Sequence, residues 1–90
     1  MTPTVRPPRV VVAVVGDDPD QLAIRVSRDR LAAGQEVVYL GEGLTPEQVA
    51  RSAVAEDAVE AAVSPEAVDA VRQALADLDA ADVEVTPLAM

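Results

Sequence analysis

Three aspartates, Asp17, Asp18 and Asp20, surround Pro19 directly after a run of valines. Carboxylates gathered at the end of a strand bind Mg²⁺ or hold a proton for acid–base work. The same residues also suit a turn and a helix N-terminus, where Asp and Pro fit the backbone and negative charge is favourable, and this plainer reading weighs more. Gly41 and Gly43 in "GEGLT" would let a backbone approach a ligand, although a lone Gly-x-Gly is a weak signal and turn geometry is the weightier explanation. Ser64 and Thr45 read first as helix N-caps and second as ligand contacts. Tyr39 is the one aromatic residue and reads as a core or edge filler.

Other chemistries are excluded by composition. The chain has no His, which removes Ser-His-Asp triads, His proton relays and His-based zinc sites, and no Cys, which removes thiolate metal sites and disulfides. No nucleophile, base and orienting group can be assembled, so catalysis by this chain alone is not expected. The net charge of -9 repels phosphate backbones and anionic lipid, so neither nucleic acid nor membrane is an expected partner. The start "MTPTVRPPR" lacks the apolar stretch of a signal peptide, and no run approaches a membrane span; a cytoplasmic location is the expectation.

The elements that must position these residues follow from periodicity. Residues 1–8 hold prolines at 3, 7 and 8 and read as an extended lead-in to one α/β domain over 9–90. Val10 to Val15 is almost unbroken valine without alternation, the pattern of a central strand covered on both faces. A helix from about Asp20 to Ala33 follows, closed by Gly34, then the strand "EVVYL" and the loop "GEGLTPEQ". In that loop Thr45, Pro46 and Gln48 spell a capping box for a helix running to about Glu56. "AVEAAV" is a weaker third strand, and Ser64-Pro65-Glu66 opens a third helix with an apolar stripe of Val68, Val71, Leu75 and Leu78. "VEVTPL" is the last strand. Strict alternation of strands and helices predicts a flavodoxin-like doubly wound parallel sheet of about four strands, in the order 2-1-3-4, with three helices. A receiver domain of the phosphorelay kind shares that fold, but it needs an Asp at the end of the third strand and a late Lys; Ser64 stands there, and the chain has no Lys.

Three stretches carry a family resemblance: "RVVVAVVGDDPDQLAIRV", "LAAGQEVVYLGEGLTPEQVARSAVAEDA" and "EAAVS". Over roughly residues 9–64 the chain resembles the cobalamin-binding domain of the methylmalonyl-CoA mutase family. In that family the turn after the first strand reads Asp-x-His-x-x-Gly, and its His is the lower axial ligand of cobalt. Aligned on Gly16, the Asp position is Asp18, the His position is Asp20 and the Gly position is Ala23. A carboxylate is a hard ligand and a poor substitute for imidazole, so the departure at Asp20 argues against base-off, His-on binding. Ser64 matches the family's Ser beside the displaced nucleotide tail. The glycine pair after the fourth strand is absent, as are the fifth strand and its helix.

The resemblance implies a small subunit or accessory protein of a cobalamin-dependent mutase (an isomerase), with cobalamin bound weakly or not at all. Its contact residues would be Gly16, Asp18, Asp20, Gly41, Gly43 and Ser64. Two alternatives stand beside it: an interaction or assembly module without any cofactor, and carriage of cobalamin with the cofactor's own base still on cobalt. An edge strand at "VEVTPL" and a partly covered third-helix stripe lead to the expectation of a homodimer or a protein partner, such as a mutase large subunit, with Val85 in the interface.

Overall fold

A computed structural model describes residues 7–17 and 19–89. Four strands, β1 (Arg9–Val15), β2 (Glu36–Leu44), β3 (Glu60–Val63) and β4 (Glu84–Pro87), alternate with three helices, α1 (Gln21–Ala32), α2 (Pro46–Ala55) and α3 (Val68–Asp77). The sheet is all parallel in the order β2-β1-β3-β4, a flavodoxin-like α/β arrangement.

The valine run dictates the layers. Val10, Val12 and Val14 face α1, where they meet Ala23, Val26, Ala62 and Leu88. Val11 and Ala13 face α2 and α3 and pack with Val49, Ala53, Ala61, Val71, Leu75 and Val85. Alanine at the contact positions of all three helices lets their backbones come close to the sheet, so a core almost without aromatics still closes. β3 reads Glu-Ala-Ala-Val and is buried throughout, so burial overrides the poor strand propensity of alanine.

All three helices stop in the same way. After α1 the N–H groups of Gly34 and Gln35 bond to the Leu31 and Arg30 carbonyls. Asp57 and Ala58 close α2, and Asp79 and Ala80 close α3, by the same paired bonds. Asp57 and Asp79 take the left-handed conformation (φ 53° and 57°) that Gly34 takes at ease, a role the short polar Asp side chain tolerates. The Thr45 capping box is present with both of its hydrogen bonds.

Four sequence expectations are corrected. β2 does not end at Leu40: it continues through "GEGL", with register shifts against β1 after Val12 and Ala13, so Gly41 and Gly43 belong to an irregular strand end and not to a free loop. The chain after Ser64 enters a 3-10 turn, Pro65–Ala67, before α3, and the Ser64 side chain makes no cap bond. Val85 is only 4% exposed and sits in the core under α2 and α3, so it is not available to a partner. The third-helix stripe is better covered than expected, because Val71 and Leu75 are fully buried and only Leu78 is exposed.

The outer edge of β4 is guarded by Pro87 and by Arg72, whose Nη2 donates to the Val85 carbonyl at 3.3 Å. On the α1 face of β3, Glu60 is 8% exposed and held by Arg30 through two bonds of 2.6 and 2.7 Å and by the Thr86 hydroxyl at 2.7 Å. The bonds from Arg30 hold the Glu60 carboxyl below its ordinary range, burial opposes them, and Thr86 adds to the lowering.

A depressed folded-state value means that the pair contributes stability above the unfolded pKa of about 4.3 and loses it as pH falls through the folded value. Glu60→Gln is therefore expected to flatten the acid limb of a urea-midpoint-versus-pH curve, and to cost about 2 kcal/mol near pH 7 by leaving Arg30 part-buried and unpaired. An unchanged acid limb would assign the acid sensitivity to other carboxylates. Val85→Lys is expected to abolish the cooperative thermal transition in circular dichroism, since it places an ammonium in an apolar core.

Candidate functional site

In a sheet of order 2-1-3-4 the connections leaving β1 and β3 depart to opposite faces, and a crevice opens between them at the carboxyl edge. Such a crevice is present: an open cleft of about 310 Å³, lined by Val14, Pro19, Gln21, Leu22, Ser64, Pro65 and Leu88. Its walls are mainly apolar. Val14 and Leu88 come from the sheet side, Pro19, Gln21 and Leu22 from the entry and first turn of α1, and Pro65 from the turn after β3.

Ser64 is the one sequence-predicted contact residue among those lining the cleft. It is 3% exposed, and its Oγ accepts the Val15 N–H at 3.0 Å, tying the end of β1 to the end of β3. That bond uses a lone pair. A serine hydroxyl also carries one proton to donate, and among the described residues this proton has no acceptor.

Asp20 lies elsewhere. It is the N-cap of α1, yet its side chain makes no cap bond. Its Oδ2 instead accepts the Tyr39 hydroxyl at 3.2 Å, which fastens the start of α1 to β2. Burial first, then the charge of Asp20 and its hydrogen bond, raise the Tyr39 phenol above its ordinary value, so it stays a neutral donor across the physiological range. The side chain that the sequence read as a filler is thus a polar latch, and it turns the carboxylate of Asp20 toward β2. Asp17 is exposed, and Asp18 lies outside the described residues. Among the described residues no group of three or more acidic side chains is placed to hold a cation, and Asp18 of the Asp17–Asp18–Asp20 cluster lies outside them.

The glycines serve the backbone. Gly16 (φ 79°) donates to the Leu44 carbonyl at 3.1 Å and its own carbonyl accepts the Gly43 N–H at 3.0 Å, so the irregular end of β2 is clasped to the end of β1. Gly43 (φ 73°) reaches that geometry because it has no Cβ to oppose it. Among the described residues, chain neighbours aside, nothing lies within 4 Å of where a Cβ would stand at Gly16 or Gly43, so conformation, not crowding, is the local demand there.

Of the six expected contact residues, Asp18 lies outside the described residues and the other five are spread along the carboxyl edge. Gly16 and Gly43 are joined in a backbone clasp, Gly41 pairs in register with Ala13, Asp20 faces Tyr39, and Ser64 alone reaches the cleft. The residues that the sequence reading missed, Pro19, Gln21, Leu22, Pro65 and Leu88, carry no motif. Their only signal is position: once the strand order is known, segments following β1 and β3 must converge.

No protein-family model matches the chain, and no curated protein matches it. Fold and geometry define a doubly wound α/β domain with an apolar crevice at its switch point.

Ser64→Ala removes the acceptor of the Val15 N–H and is expected to lower stability by about 1–2 kcal/mol in urea unfolding. A loss under about 0.5 kcal/mol would mean that water replaces the hydroxyl there, and that the two strand ends are not tied through this side chain.

Proposed function

We infer that the chain is a cobalamin-binding-domain-like module that acts as a small subunit or accessory protein of a mutase-like enzyme and holds cobalamin weakly or not at all. The observation that carries this reading is the cleft at the β1/β3 switch point, with Ser64 at the end of β3 where the resembled family keeps a serine beside the nucleotide tail. The resemblance over residues 9–64 supplies the rest.

The residues present do not fit cobalt ligation by the protein. Asp20, at the position of the axial histidine, is a carboxylate engaged by Tyr39, and the chain has no histidine anywhere. The cleft suits part of a cofactor, a flat apolar fragment with one hydrogen-bond acceptor for Ser64. No chemical step is assigned to this chain. Its own contribution in this reading is to present a shaped, largely apolar surface to a partner that performs the chemistry.

A second reading, an assembly module without any cofactor, is favoured by one specific observation: the polar groups at the carboxyl edge are mostly spent on each other, in the Gly16–Gly43–Leu44 clasp and the Tyr39–Asp20 latch.

Spectral titration with cobalamin decides whether the cofactor is retained weakly or lost. Weak retention gives a dissociation constant above about 10 µM and a spectrum in which the cofactor's base remains on cobalt. Asp20→His is expected to tighten binding only in part, because Tyr39 still competes for the position. A sub-micromolar complex with a base-off spectrum overturns the argument from Asp20, and a flat titration for both chains leaves the cofactor-free module.

A further inference from the structure

The charges of this molecule are unevenly placed. Of seven arginines, three fall on α1, in a chain whose net charge is -9. Arg30 turns inward to Glu60. Arg25 and Arg28 are exposed and have no ion partner among the described residues, and with Asp29 and Ala32 they line a shallow hollow on the outer side of the helix. Leu22, one turn before Arg25, is 36% exposed and belongs to the wall of the switch-point cleft. Leu22 and Arg25, one helical turn apart, therefore set the wall of the apolar cleft beside the hollow that Arg25 and Arg28 line with Asp29.

We propose that this surface docks an acidic segment of a partner protein, which pairs carboxylates with Arg25 and Arg28 and inserts one apolar side chain into the cleft between Leu22 and Leu88. The proposal rests on the accessory-module reading and names the kind of partner that such a module meets; it does not depend on cobalamin. Charge complementarity selects the occupant. An acidic partner is repelled by the rest of a surface rich in carboxylates and attracted at α1, so the two chains are oriented before they touch. A cleft of about 310 Å³ accommodates one bulky side chain, the arrangement of a buried anchor beside a charged rim. The unspent proton of Ser64 is available at the floor of the cleft for an acceptor on the incoming segment. Nucleic acid and anionic lipid are the other polyanions a cationic helix attracts, but each spreads its charge over an area far larger than two arginines, and so meets the surrounding carboxylates as well.

The test is an NMR titration of the full chain with three synthetic helical peptides and with phosphatidylserine vesicles. The first peptide carries a stripe of glutamates and one phenylalanine, the second replaces glutamate by lysine, and the third replaces phenylalanine by alanine. The glutamate–phenylalanine peptide is expected to bind best, moving amide signals of residues 19–32, Ser64 and Leu88. Its affinity is expected to fall about fivefold to tenfold in the double variant Arg25→Glu/Arg28→Glu, and to weaken with added salt. Equal binding of the glutamate and lysine peptides, shifts that lie away from α1, an unchanged affinity of the double variant, or a preference for the vesicles overturns the proposal. Both substituted positions are exposed, and an unchanged amide spectrum of the free variant shows that its fold is intact. A cobalamin titration of the same variant keeps the two questions apart, because its result is expected to equal that of the parent chain whether or not the peptide binds.

Discussion

Burial of β1 on both faces is the constraint on which the rest of the structure depends. Five consecutive residues, Val10 to Val14, are 0–1% exposed, so each face of that strand requires a helix and each edge a neighbouring strand. α1 supplies one face and α2 with α3 the other, while β2 and β3 take the edges. The side chains are short, and each β-branched valine gives only a thin layer of apolar surface. The helices must therefore approach through alanine, as Ala23, Ala50, Ala53 and Ala74 do. Placing β1 between β2 and β3 sends its outgoing chain toward α1 and the outgoing chain of β3 toward α3, which opens the cleft. The site is thus a by-product of where the valines had to go.

That causal chain explains which parts were legible in the sequence. The valine run, the Thr45-Pro46-Gln48 box and the Ala-Gly turn after α1 are strong local signals from which the element order follows; the parallel sheet and its strand order follow from the alternation of strands and helices together with the resemblance over residues 9–64. Boundaries failed where the local signal pointed elsewhere. Gly41 and Gly43 look like a loop because glycine weakens strands, yet the Gly16 clasp holds them in an irregular extension of β2. Asp57 and Asp79 end helices in a conformation for which glycine is the usual sign, so neither end could be read from a glycine. Val85 stands in an edge strand and reads as surface from the sequence, but an edge strand of a layered sheet is exposed along its rim and still buried on its faces.

The candidate site was legible only in part, and for a physical reason. A motif aligned on Gly16 fixes sequence positions, not the direction of side chains. Asp20 and Ser64 follow neighbouring strands, but Asp20 is drawn toward β2 by a phenol nineteen residues away, an interaction that no local pattern encodes. The charge on α1 was equally hidden. Arg25, Arg28 and Arg30 look alike in sequence, and only the position of Glu60 on β3 separates the one that is spent from the two that are free among the described residues.

The side chains at positions 20 and 64 differ in what they still offer a neighbouring group. An ionised carboxylate only accepts hydrogen bonds, so Asp20, once turned to Tyr39, presents a neighbouring group with negative charge and no proton. It repels anions and offers no proton to an acceptor. The Ser64 hydroxyl has two functions at once: a lone pair holds the Val15 N–H, while its proton is left over. Fixing the strand ends costs it nothing as a donor, and burial at 3% exposure strengthens any bond that proton makes by removing competing water. A hydroxyl at the end of β3 is therefore both mortar of the fold and a donor at the floor of the cleft, set among the apolar walls of Val14, Leu22, Pro65 and Leu88.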